Sequence, residues 1–164
     1  MANPLPEEMK LYQRIKDENI KVPLEVWDLM YHRIGDALSA INLSCEYYLQ
    51  INQPMSMEEA KNILNYTRLI KLVIDRLTKK SFQDNRNFPE FKENPDLHPV
   101  IHEMFTHYIP NDVYAINLIV SDTIDPIDPK PMPIEYLKKI LEHTRSSKAF
   151  MDRLREATLQ AVRF

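Results

Sequence analysis

The strongest constraint on the fold of this chain is an internal duplication. Residues 54–77 read PMSMEEAKNILNYTRLIKLVIDRL, residues 131–154 read PMPIEYLKKILEHTRSSKAFMDRL, and half of the aligned positions are identical. With a two-residue gap the match extends upstream, where 29–43 aligns with 104–118 and both segments end in Ala-Ile-Asn-Leu. A duplicated unit of this kind is a supersecondary element that buries its apolar face against its twin.

The alignment divides the chain into two copies within one domain, residues 1–164. Repeat one covers about residues 24–80, a connector covers 81–99, and repeat two covers about 100–162. A chain of this length forms one domain by default and is long enough for a hydrophobic core.

Composition excludes several functional classes. Gly35 is the single glycine, so the chain lacks the glycine-rich loops that cradle nucleotide phosphates. The single cysteine, Cys45, excludes an internal disulfide and fits a reducing compartment. A net charge of -3 gives no reason to expect nucleic acid binding. The chain has no apolar run long enough for a membrane span and no secretory signal at its polar start, so we expect a cytoplasmic protein.

The pattern of apolar residues favours helices throughout. Helical spacing predicts five of them, at residues 6–20, 24–51, 57–80, 100–121 and 133–162. Ser56 and Glu59 have the spacing of a capping box at the start of the third, and Pro110 falls inside the fourth. We therefore predict an all-α fold: a pseudo-two-fold four-helix bundle made of two tandem helical hairpins, plus a short N-terminal helix.

Each repeat places a histidine on a polar helix face, one turn after a carboxylate. The two sets of equivalent residues are Asp28, His32 and Asp36 in repeat one and Glu103, His107 and Asn111 in repeat two. An acid four residues earlier can reach a ring nitrogen and fix the tautomer of the histidine. An acid–histidine pair is also ordinary surface chemistry, and duplication copies neutral features as well as functional ones.

The first histidine segment resembles a known signalling motif. HRIGDALSAINLSCEYYL (32–49) is similar to the H-box of the dimerisation and histidine-phosphotransfer (DHp) domain of two-component histidine kinases. Leu38 to Ile41 match that motif, and Ala37 stands where it usually has proline. Residues 63–81 resemble the second helix of the same domain. In repeat two, 107–120 is less similar, although Asn111 matches the Asn/Thr position.

The resemblance implies a fold and a chemistry. In that family two hairpins, one from each subunit, form a four-helix bundle, and its histidine passes a phosphoryl group to a receiver aspartate. His32 and His107 would be the phosphoacceptors, with Asp28 and Glu103 as orienting acids. The family has an acid directly after the histidine, where this chain has Arg33 and Tyr108.

The resemblance also implies protein partners. No ATP-binding domain follows, so phosphate would come from another protein, a receiver domain or a histidine kinase. Alongside Arg33, Asp36 and Asn111, cations on the second helix of each repeat are candidates for contact with that partner: Arg68, Lys71, Arg145 and Lys148. A solvated, salt-bridged face explains the same cations without a partner.

Two other functions stay open. The chain could be a non-catalytic interaction module, an inhibitor or adaptor with no phosphotransfer, so whether it is an enzyme is undecided. Metal binding is less favoured, because di-iron bundles use Glu-x-x-His pairs that face the interior. No metal and no cofactor are predicted. Dimerisation of the whole chain is an open alternative.

Overall fold

The computed structural model describes residues 6–78, 96–124, 127–128 and 130–162. All of the regular elements in these ranges are helices, so the all-α prediction is confirmed. Its elements are α1 (Pro6–Glu18), α2 (Leu24–Leu29), a π-helical turn (Met30–Ile34), α3 (Gly35–Gln50), α4 (Met57–Thr78), α5 (Pro99–Thr123) and α6 (Ile134–Val162). No strand occurs in these ranges. The predicted connector at 81–99 lies mostly outside them.

Local chemistry explains where the helices begin. The predicted capping box at α4 is present, since the backbone N–H of Glu59 donates to Ser56 Oγ at 3.3 Å. At α5 the side chain of His98 accepts from the backbone N–H of Val100 at 3.2 Å, and Pro99 occupies the first turn, where its missing N–H costs nothing.

The four long helices pack side by side as a bundle. Both α3 and α5 pack against α4 and α6, so α3 and α5 lie across the bundle from each other. The N-terminal helix α1 packs against α6, where Tyr12 and Ile15 are buried and Glu8 forms an ion pair with Arg153 at 3.0 Å. Within the described residues, none of the helices is long and apolar enough to cross a membrane.

The core follows the apolar stripes that the sequence predicts. Fully buried side chains come from both repeats, among them Ile34, Ile41, Ile70, Ile101, Phe105, Ile116, Leu137, Ile140 and Leu154. Trp27, Tyr48 and Leu64 are half-buried and pack against this core. Burial of each large apolar side chain stabilises the fold by about 1.5–3 kcal/mol before chain entropy is counted.

Polar and backbone contacts join the two repeats in corresponding pairs. Thr67 Oγ1 donates to Asn117 Oδ1 at 2.6 Å, and in the other direction Thr144 Oγ1 donates to Asn42 Oδ1. The segments before α4 and α6 also meet, since Met55 and Met132 form an isolated antiparallel bridge. Each repeat therefore completes its polar contacts with groups from the other.

One local feature differs from the sequence prediction. Instead of an uninterrupted α-helix over 24–51, the backbone N–H of Gly35 bonds to the carbonyl of Met30 and closes a π turn over Met30–Ile34. Gly35 aligns with Pro110, so both repeats have an irregular residue at the same place, although α5 stays helical through Pro110. π turns of this kind are often found at functional sites.

Candidate functional site

The repeat-one histidine lies on the surface within the π turn. His32, Asp28 and Asp36 are exposed, as the helical-face argument predicts, whereas Arg33 is half-buried and has contacts of its own. The neighbouring residues Met30 and Ile34 are fully buried, so the backbone that carries His32 is anchored in the core. The π turn thus presents an accessible imidazole on a fixed support.

The repeat-two histidine lies in an open groove between α1 and α5. The groove has a volume of about 500 Å³ and is lined by Glu7, Lys10, Leu11, Glu103, His107, Tyr108 and Asn111. It brings together the three residues predicted for this face, and all three are exposed. Because α1 forms the other wall, a partner meets Glu7 and Lys10 when it approaches His107, whereas His32 is exposed on the π turn.

The predicted orienting acids do not hold their histidines. Within the part of the chain that the structure describes, no hydrogen bond or ion pair joins Asp28 to His32 or Glu103 to His107. Neither ring is therefore fixed in one tautomer by a carboxylate.

The cations of the second helices are on the surface. Arg68, Lys71, Arg145 and Lys148 are all exposed. Arg145 forms an ion pair with Glu46 at 3.5 Å, with more than half of each side chain exposed, and such pairs contribute about 0–1 kcal/mol.

Lys71 also lines a cleft of about 230 Å³ between α4 and α5. The other walls include Ile74, Asp75, Pro110 and Tyr114. The lining is mainly apolar, and Lys71 and Asp75 are its charged residues.

Two tyrosines beside the histidines have altered acidity. Burial raises the pKa of Tyr108, which stacks on Phe150 with ring centroids 5.3 Å apart, and the nearby carboxylates raise it further. Burial also raises the pKa of Tyr31, where Asp152 adds to the effect and Arg155 opposes it. Both phenols stay protonated at neutral pH, as an ordinary tyrosine does, and the hydroxyl of Tyr31 donates to the carbonyl oxygen of Met151 at 3.5 Å.

A third histidine, which the sequence did not single out, has the most developed polar environment. His143 Nδ1 lies 3.0 Å from Asp112 Oδ1, and Ser147 Oγ donates to Asp112 Oδ2 at 2.8 Å. These residues are on α5 and α6, so their contact depends on the packing of two helices. The alignment nevertheless contains a signal. Asp112, His143 and Ser147 align with Ala37, Tyr66 and Ile70 of repeat one, so Asp112 and Ser147 stand where repeat one has apolar residues.

The remaining histidines have structural partners. His98 caps α5, and His102 Nε2 lies 2.8 Å from the carbonyl oxygen of Thr78. No group of three or more metal-ligating side chains of the usual kinds lies together among the described residues.

Comparisons of the chain with protein-family models, with curated proteins and with solved structures found no match.

Proposed function

We propose that this chain is a cytoplasmic signalling bundle of the histidine-phosphotransfer type, in which His32 exchanges a phosphoryl group with a receiver domain or a histidine kinase. The observation that carries the proposal is the exposed ring of His32 on a backbone anchored by buried Met30 and Ile34. Phosphoryl transfer between two proteins needs an in-line approach by a large partner, which requires an accessible nucleophile on a fixed support.

We also infer that the two repeats are related as a pseudo-two-fold pair of hairpins. The reciprocal bonds of Thr67 with Asn117 and of Thr144 with Asn42 support this relation, as does the bridge between Met55 and Met132. The family that the sequence resembles builds its bundle from two identical hairpins, and here one chain would supply both.

The two histidines are expected to differ in use. The groove wall formed by α1 restricts the approach to His107, whereas His32 is exposed on the π turn. The exposed cations Arg68 and Lys71, with Arg145 and Lys148, would attract an acidic receiver surface. We therefore assign the principal exchange to His32.

The test is transfer of label from a phosphorylated protein. The chain is incubated with an autophosphorylated histidine kinase or a phosphorylated receiver, and acid-labile phosphate is measured on the wild type, on His32→Gln and on His107→Gln as the matched control. We expect label on the wild type and the control and at least tenfold less on His32→Gln, in line with loss of the nucleophile. Equal labelling of all three proteins contradicts the assignment.

One observation favours a second candidate, a non-catalytic interaction module. Neither His32 nor His107 is held by a carboxylate, and neither is followed by an acid in the sequence. A chain that binds a receiver or kinase tightly, with no label transferred to any histidine, would support the adaptor or inhibitor function in place of phosphotransfer.

A further inference from the structure

Asp112 is fixed at both of its oxygens. Oδ2 accepts from Ser147 Oγ at 2.8 Å and Oδ1 faces His143 Nδ1 at 3.0 Å. Ser147 is fully buried, and the side chain of Asp112 is 14% exposed. A carboxylate held in this way cannot turn from the imidazole without losing the bond to Ser147.

This contact selects one tautomer of His143. An ionised carboxylate only accepts hydrogen bonds, so Nδ1 carries the proton and donates it to Asp112. The lone pair of the neutral ring is then on Nε2. That atom forms no hydrogen bond within the described residues and is not one of the enclosed polar atoms, and the side chain is 35% exposed. His143 therefore presents an oriented nitrogen lone pair at the surface.

Packing alone does not require these polar groups. Burying a carboxylate and a hydroxyl costs free energy that their hydrogen bonds only offset. At the aligned positions of repeat one the same kind of bundle is built with Ala37 and Ile70, both buried, and with Tyr66 in place of the histidine. The polar set is thus present in one half only, and an orienting acid behind a histidine is the arrangement that nucleophilic and proton-transfer sites use.

The geometry points to His143 as a phosphoryl-accepting nucleophile that reacts through Nε2 with small-molecule phosphoryl donors, held in position by Asp112. This site goes beyond the exchange proposed at His32 and does not depend on it. Exposed Lys139 is one turn earlier on α6, where its Nζ lies 5.7 Å from the Tyr136 ring centroid, and it adds a positive charge to this face of the helix.

A small donor such as phosphoramidate can supply the phosphoryl group. The Nε2 lone pair attacks phosphorus, the nitrogen–phosphorus bond of the donor breaks, and ammonia leaves with a proton supplied by the donor or water. The Nδ1 proton stays on the ring, and the Asp112 carboxylate stabilises the positive charge that develops there.

The experiment uses potassium phosphoramidate and the full chain, with no partner protein. Rates of phosphate incorporation are followed by mass spectrometry for the wild type, His143→Gln, His32→Gln and His107→Gln. We expect His143 to react first, as the Nε2 isomer, about 10-fold or more faster than the other two histidines, and His143→Gln to remove this fast phase. Equal rates at the three histidines, or phosphate on Nδ1 of His143, would overturn the assignment.

Asp112 is a positioning residue, and its role has a separate readout. Nitrogen NMR of the wild-type chain reports the tautomer of His143 without any substitution, and we expect the Nδ1-protonated form. Asp112→Asn should allow both tautomers of His143 and slow the fast phase about 10–100-fold. Asp112→Ala introduces the residue that repeat one has at the aligned position, and it should have the same effect. A wild-type ring protonated on Nε2, or a fast phase unchanged in folded Asp112→Ala, contradicts the inference. Failure of transfer from a protein donor in the same samples would bear only on His32.

Discussion

Met55 and Met132, equivalent residues of the two repeats, are joined by two backbone hydrogen bonds of 3.0 and 2.7 Å, and both side chains are fully buried. The bridge lies where the chain enters α4 and α6, so it ties the two repeats together at one end of the bundle.

Truncation of the bridge residue should destabilise the whole fold. Met55→Ala removes a fully buried side chain while leaving the backbone bonds in place, so we expect a loss of about 2–5 kcal/mol in the free energy of unfolding. Met9→Ala, at a position that is 51% exposed, is the matched control and should change it by less than about 0.5 kcal/mol. Urea denaturation measures the free energy of unfolding of both variants. Equal losses would show that the buried side chain of Met55 contributes no more to stability than the exposed one of Met9.

The bond between Thr67 and Asn117 should contribute measurably to stability. Thr67→Val keeps the shape of the side chain but leaves Asn117 Oδ1 without its donor, so we expect a cost of about 1–2 kcal/mol in the free energy of unfolding. Thr106→Val, an exposed helical position, controls for the β-branched substitution itself. If both variants unfold at the same denaturant concentration, the bond across the repeats adds nothing.

The single glycine is not required by the fold. Gly35 has ordinary helical angles, φ −58° and ψ −45°, and a Cβ built there lies 3.7 Å from the carbonyl oxygen of Met30, an ordinary van der Waals contact. Gly35→Ala should therefore raise the free energy of unfolding by about 0.5–1 kcal/mol, because alanine loses less backbone entropy. Asn52→Ala, where φ is 54°, should lower it. Thermal denaturation that shows Gly35→Ala to be destabilised would mean that the π turn depends on glycine.

Glu8 should give the chain a specific pH dependence. Burial raises the pKa of Glu8 above its ordinary 4.5, and Arg153 only partly opposes this effect. Between the ordinary pKa of 4.5 and the raised pKa of Glu8 in the folded chain, the folded state binds more protons than the unfolded state. The free energy of unfolding therefore falls as the pH rises through this range.

The comparison is between wild type and Glu8→Gln at pH 4.5 and at neutral pH. We expect the wild type to lose more stability than Glu8→Gln over this interval in urea denaturation. Glu7→Gln, an exposed neighbour on α1 with the same change in charge, should behave like the wild type. A parallel response of wild type and Glu8→Gln would show that the buried carboxyl is not linked to folding.

Cys45 should be inert in the native state. It is fully buried, and burial raises the pKa of its thiol to about 12. A reagent therefore cannot reach the sulfur, and the thiol is not ionised at mildly alkaline pH. We expect an aromatic disulfide reagent to label the chain at mildly alkaline pH only when urea unfolds it, whereas Ser39→Cys, at an exposed position of α3, gains one rapidly labelled thiol. Rapid native labelling of the wild type would be the contrary result.

The sequence predicted the helices well because their signals are local. Apolar periodicity and the Ser56–Glu59 capping box fix the start of α4, and its predicted end lies within two residues of Thr78, the last described residue there. The exposed positions of His32 and His107 follow from the same periodicity. The π turn was not predictable, because one shifted backbone bond, from Gly35 to Met30, leaves no mark in composition.

The polar set around Asp112 was missed for a different reason. His143 and Asp112 are 31 residues apart and on separate helices, so their contact depends on the register of α5 against α6. The same limit applies to the bond between Thr67 and Asn117. The repeat predicts that Thr67 is equivalent to Thr144 and Asn117 to Asn42, but it does not predict which helix each side chain contacts.

The reciprocal Asn–Thr bonds have a consequence for how such a chain can diverge. In a dimer of identical subunits every substitution appears twice, once on each side of the symmetry axis. A single chain that carries both halves is free of that coupling, and the stoichiometry of the halves is always one to one. One half can then acquire a carboxylate such as Asp112 while the other keeps Ala37 at the aligned position, which separate copies of one gene product cannot do.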